Sequence, residues 1–229
     1  MAEVRLETPK NSDELYLARG VELEEFQLRP AFTGDVYQLD ARLVALIQHP
    51  CAMRRGSELS RRLLVAEVAP LRSGIPDDWA SGHYKRMFLP GLLGEDMAIG
   101  FDELDVLDRD FITSGVRVAI LSNTGVDLLA QRWLFHSSRV VIPTMTLNAQ
   151  STGPFEEADL VSEGCWELTE VGWDSALALQ KVDEWLGESQ VQGGPIRREM
   201  LSSAQHRSVV RTALRQNIKQ WKTAEELGS

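Results

Sequence analysis

Residues 43–56, LVALIQHPCAMRRG, set His49, Cys51, Arg54 and Arg55 close together directly after a short apolar run. Positive charge beside a cysteine favours the thiolate, so Arg54 and Arg55 would lower the Cys51 pKa, and His49 is a candidate base for a nucleophilic thiol. Side chains two apart on an extended chain point to the same side, although that alone does not assure a hydrogen bond between them. The competing reading is a half-buried cysteine at a strand end followed by solvated arginines, because free cysteine behaves mostly as a small, inert hydrophobe.

A second chemical feature lies near the other end. Residues 195–222 carry seven basic side chains, Arg197, Arg198, Arg207, Arg211, Arg215, Lys219 and Lys222, against one acid, Glu199, in a chain whose net charge is -10. At about 100° per residue, Val210, Leu214, Ile218 and Trp221 fall on one narrow stripe, with Arg207, Arg211, Arg215, Lys219 and Lys222 on the adjoining third. Such a basic amphipathic helix can grip phosphates, with steep salt dependence, or dock on an acidic partner protein, or dock on the acidic body of its own chain. The overall acidity opposes binding to bulk nucleic acid except through this stripe. Its apolar face is too modest for a helix lying in a membrane surface.

Other clusters read as structural. His49, His83, His136 and His206 show no paired ligand spacing, so no metal site is expected. In FDELDVLDRD (101–110) strict alternation sets Asp102 apart from Glu103 and Asp105, giving a solvated strand face instead of a cation or acid–base site. SGIP and GLLGED lack the lysine and helix start of a nucleotide loop, and no cofactor is expected.

The elements that would position these residues can be read from periodicity. A chain of 229 residues, 43% hydrophobic, is long enough for a substantial core. No apolar run approaches the roughly 20 residues that cross a bilayer. The first residues lack the apolar stretch of a secretory signal, and two cysteines make no disulfide framework, so a cytoplasmic protein is expected. Residues 43–47 and 63–68 read as buried strands, and Gly34 and Asp35 as a turn into another at Val36 and Tyr37. Residues 73–96 read as a long loop, followed by two strands in 99–121. Helices are expected from Ser122 or Asn123, around 155–166 with Pro154 in the first turn, from a cap at Asp174 to Gly187, and over roughly 197–222. The fold class is therefore α+β: a small, mostly antiparallel barrel-like sheet followed by packed helices. The division falls at 1–122 and 123–229, unless the two form one domain.

The order of elements resembles the PemK/MazF-like toxin barrels, SH3-like folds of bacterial toxin–antitoxin systems that cleave RNA. The matching stretches are TGDVYQLD (33–40), RLVALIQ (42–48) and RLLVAEVAPL (62–71), with the helix at 123–137 following, so the resemblance spans residues 28–140 at most. It implies an SH3-like barrel, RNA as substrate and Arg42 as a cleavage residue. Ala69 stands where that family has a catalytic hydroxyl, and the glycine-rich loop ahead of Arg42 is missing. The departures point to a binding derivative.

The resulting expectation is a non-catalytic component of a bacterial multi-gene system, in defence or toxin biology. It would contact a protein partner, or nucleic acid, through barrel loops with Arg54 and Arg55 and through the basic helix. The alternatives are a metal-independent endoribonuclease of the PemK/MazF-like type using Arg42, and a thiol-dependent hydrolase using Cys51 with His49. Oligomeric state is not legible.

Overall fold

The computed structural model describes residues 6–55, 58–77, 79, 84–191 and 193–228, without the side chains of Cys51, Arg55, Glu58 and residues 224–228. The chain forms two compact units. One comprises residues 1–26, 31–53 and 59–149, the other residues 27–30, 54–58 and 150–229.

The first unit is built on strands β1 (Tyr16–Arg19), β2 (Asp35–Leu39), β3 (Arg42–Leu46), β6 (Arg62–Pro70), β7 (Arg86–Leu92), β8 (Glu95–Asp108) and β9 (Val116–Leu121). Between β3 and β6 lie a helical turn, α1 (Pro50–Met53), and two short paired strands, β4 (Arg54–Arg55) and β5 (Glu58–Leu59). The seven strands form one antiparallel, nearly closed barrel-like sheet in the order β1-β9-β2-β3-β6-β8-β7. The apolar runs are continuous because β2, β3 and β6 are buried on both faces. Tyr37, Val44, Leu46, Leu63 and Val65 join Met53 and Phe111 in one cluster, while the alternate residues Val36, Ala45, Ala66 and Val68 are also buried. Gly34, at φ +88°, makes the turn into β2, and a side chain there would collide with Val126 and Leu121.

Two side chains join the edge strands of this sheet. The Tyr16 hydroxyl and Arg19 Nη1, both on β1, donate to the Pro90 carbonyl on β7 at 3.1 and 3.2 Å. Burial pushes the Tyr16 phenol pKa far up, and the facing Arg19 draws it only partly back.

The sheet is followed by α2 (Phe111–Ser114) and α3 (Asn123–Ser138). Ser122 caps α3 by accepting from Gly125 N at 3.1 Å. A Cβ on Gly125 would collide with the Leu15 carbonyl oxygen, which is why the first turn of α3 carries a glycine there.

The second unit contains residues 150–169 of α4 (Thr144–Thr169), α5 (Ser175–Gly187), α6 (Arg197–Met200) and α7 (Ala204–Gly228). Its core is an apolar seam of Leu160, Val161, Cys165 and Leu168 from α4, Ala178, Val182, Trp185 and Leu186 from α5, and Val210, Leu214 and Ile218 from α7. Asp174 caps α5 by accepting from Ala176 and Leu177 N.

Three expectations are corrected. Residues 86–92 are strand β7 instead of loop: Pro90, which has no N–H, is accommodated because β7 is an edge strand, and the 93–94 turn takes left-handed φ values of 53° and 84°. Pro154 lies inside α4, which begins ten residues earlier, at Thr144. The last helix is two, because Leu201–Ser203 interrupt it between α6 and α7.

Candidate functional site

One concavity of the sheet is created by an irregularity. Along β6 and β8, Ala66 faces Leu104 but Glu67 faces Gly100, so Phe101, Asp102 and Glu103 are additional residues on β8. Phe101 turns inward and is buried, whereas Asp102 and Glu103 are both exposed. A regular strand would have put these two carboxylates on opposite faces. The bulge instead lets both line one cleft of about 110 Å³ with Glu67, Ala69, Lys85, Arg86 and Gly100. A neighbouring cleft of about 160 Å³ is lined by Arg42, Val44, Val65, Glu67, Glu103, Leu104 and Asp105. Glu67 and Glu103 belong to both, which makes the two a continuous groove.

The charges of this groove are unequally matched. Lys85 Nζ lies 3.1 Å from Asp102, and Arg42 Nη2 donates to Asp105 at 3.1 Å, holding that carboxyl below the usual carboxylate range. The Glu67 and Glu103 carboxylates have no hydrogen bond or ion pair among the described residues. At the rim, His136 Nε2 lies 3.7 Å from Asp102, with its ring stacked on Trp133 at 5.9 Å and 14° and beside Phe101 at 5.8 Å.

The residues singled out from sequence fall in three places. Arg42 lines the groove, engaged with Asp105. His49 stands just ahead of α1, where its carbonyl accepts from Ala52 N at 2.9 Å and Met53 N at 3.1 Å; the backbone turns at Pro50 instead of continuing extended. The Cys51 and Arg55 side chains lie outside the described residues, and Arg54 is partly buried on β4. The other cysteine, Cys165, is buried in the helical seam, which pushes its thiol pKa up to about 11.

The basic stripe of α7 meets α4 within the helical unit. Arg207 and Arg211 both donate to Glu156, at 3.4 Å and at 2.9 and 2.6 Å; Arg215 donates to Glu163 at 2.6 Å; and Lys222 pairs with Glu167. Glu156, Glu163 and Glu167 are spaced seven and four apart, which sets them on one face of α4. Lys219 alone of these five cations has no side-chain partner among the described residues. Arg198, on α6, pairs with Glu157 and Asp183.

The bulge went unread in FDELDVLDRD, where two adjacent acids, Asp102 and Glu103, separate Phe101 from Leu104 and break the period of two. A second local hint is Gly100 directly ahead of it, since a glycine in a strand often marks a bulge. Among the described residues no three His, Cys, Asp or Glu side chains converge as a metal site requires, and no helix is long and apolar enough to cross a membrane. Neither the family models nor the curated proteins contain a match to this chain.

Proposed function

We propose that the chain is a non-catalytic binding component, part of a multi-gene system, that receives a lysine- or arginine-bearing segment of a protein partner in the groove across β3, β6, β8 and β7. The observation that carries this reading is the pair Glu67 and Glu103, two carboxylates without partners among the described residues and shared by both halves of a ready-made groove. Opposite charge held at such a site steers a cationic segment and fixes its register. An arginine or lysine of the partner would supply the donors that Arg42 and Lys85 already give to Asp105 and Asp102.

Ribonuclease chemistry fits the same groove poorly. Arg42, its candidate cleavage residue, is engaged with Asp105 and flanked by Glu67 and Glu103, which repel a phosphodiester. The basic stripe is engaged as well, by α4.

Fluorescence anisotropy with two labelled probes, an arginine- and lysine-rich decapeptide and a single-stranded RNA, tests the reading. The peptide should bind, weaken as salt rises, and lose about tenfold in affinity in the Glu67→Gln, Glu103→Gln double variant. Peptide affinity unchanged by that variant would refute it. RNA cleavage lost on Arg42→Ala would establish the ribonuclease instead.

A further inference from the structure

In α3 two neighbouring residues meet very different fates. Gln131 is fully buried and fully engaged: its Oε1 accepts from Glu7 N at 2.8 Å, and its Nε2 donates to Glu7 Oε1 at 3.1 Å and to the Ile142 carbonyl at 2.8 Å. Arg132 is just as buried, at 1% exposure, yet its guanidinium makes one hydrogen bond, from Nη2 to the Glu7 carbonyl at 2.8 Å. Its Nε and Nη1 are buried and have no hydrogen-bond partner among the described residues. Among the described residues no carboxylate forms an ion pair with it. Glu7, whose carbonyl accepts from Arg132, spends its own carboxylate on Thr144 and Gln131. Burial raises the pKa of that carboxyl, but those hydrogen bonds outweigh it and leave the group ionised and below its ordinary range.

A guanidinium in the interior keeps its charge and presents five N–H groups, so a buried one without a counter-ion is among the costlier arrangements a fold can hold. Here desolvation is strong enough to draw the Arg132 pKa down to about 10, still far above neutral pH. The cation is not simply left in an aliphatic interior. Its central carbon lies 5.2 Å from the centroid of the Trp79 ring, which in turn rests against Phe88 of β7 at 5.3 Å. An aromatic face stabilises a cation, but it cannot accept the in-plane N–H groups. Those require oxygen lone pairs, and oxygens carrying negative charge would answer both the unmatched hydrogen bonds and the unmatched charge at once.

We propose that Arg132, beneath Trp79 on α3, is the anchor of a binding site for a small oxyanion, the carboxylate or phosphate group of a small-molecule ligand. This site is separate from the groove proposed for a partner segment, and neither reading depends on the other. The groove is acidic and open; Arg132 is cationic and enclosed.

Isothermal titration of the full chain with inorganic phosphate and, separately, with benzoate tests this, each at constant ionic strength with chloride as the control. One of the two should bind saturably, raise the unfolding temperature by a few degrees and change tryptophan fluorescence, which identifies the ligand group as phosphate or carboxylate. Arg132→Met should remove the binding while leaving unfolding cooperative, at an unchanged or higher temperature without ligand, because it deletes an unmatched buried charge. If Arg132→Met does not fold, Trp79→Phe decides: the fluorescence response to the anion should vanish. Absence of saturable binding of either anion to the unaltered chain overturns the proposal. So does equal binding by Arg132→Met, or a fluorescence response that survives Trp79→Phe.

Discussion

Helices α3 and α7 bring charge into the molecule in opposite ways. On α7, Arg207, Arg211, Arg215 and Lys222 stand half-open to solvent beside an apolar seam, each with a glutamate of α4 opposite. On α3, Asp127 and Arg132 are both buried, and neither has an ion-pair partner among the described residues; Asp127 Oδ1 lacks even a hydrogen bond. The stripe that is conspicuous in the sequence is thus internally matched except at Lys219, while the unmatched buried charges are isolated residues that no composition window would single out. Matched, half-exposed charge mainly fixes how two helices face one another. Unmatched buried charge costs the fold free energy and needs a reason outside it.

This contrast can be broken in order of expected effect. If α7 is held by its apolar seam and only oriented by its charges, Leu214→Ala should cost about 3 kcal/mol in chemical denaturation, because Leu214 is fully buried. A cost below 1 kcal/mol would mean that the ion pairs carry the helix. The next largest effect should come from Asp127. Burial raises its pKa from the ordinary 3.8 to about 6, and the hydrogen bond from Asn148 offsets this only in part. The folded protein therefore binds a proton more readily than the unfolded chain, so this group's contribution to stability falls as pH rises from about 4 to 6 and is level above. Asp127→Asn should abolish that slope and stabilise the protein at pH 7.5 by at most roughly 3 kcal/mol, at about 1.4 kcal/mol per pKa unit. Denaturation curves at pH 4.5 and 7.5 measure it, and an unchanged slope would show that Asp127 ionises without penalty.

Smaller effects should follow on the matched side. Glu156→Gln removes the partner shared by Arg207 and Arg211 and should cost about 1 kcal/mol in dilute buffer, shrinking in 1 M salt. A salt-independent cost would indicate packing instead of charge. Smallest of all, Glu67→Gln and Glu103→Gln should each change stability by less than about 0.5 kcal/mol, because neither carboxylate has a partner to lose. A larger loss from either would make the groove a structural element and weaken its assignment as a docking site.

The α+β class and most elements were legible because burial on both faces leaves a plain apolar run, as at 43–47, 63–68 and 116–121. Caps were legible too: Ser122 and Asp174 hold the amides their sequence positions suggested. What escaped was set by tertiary context. Strand β7 contains Pro90 and Gly91, which read as loop and become strand only at a sheet edge. The groove depends on three additional residues in β8, and the adjacent acids Asp102 and Glu103 that break the alternation there could equally have ended the strand. The seam of α7, Val210, Leu214 and Ile218, was visible as helical spacing, but nothing local could say that Glu156, Glu163 and Glu167 would face its cations. Arg132 was equally hidden, since a lone arginine in a helix is ordinarily a surface residue.

The way β1 meets β7 has a consequence for self-association. A sheet left just short of closure presents two margins, and a margin with free amides and carbonyls is a template for a strand from another copy. At Pro90 this margin offers no amide hydrogen, and its carbonyl is already taken by Tyr16 and Arg19. An intruding strand would find its pairing interrupted midway along β7, so the clasp both finishes the barrel and guards it against fibrous growth.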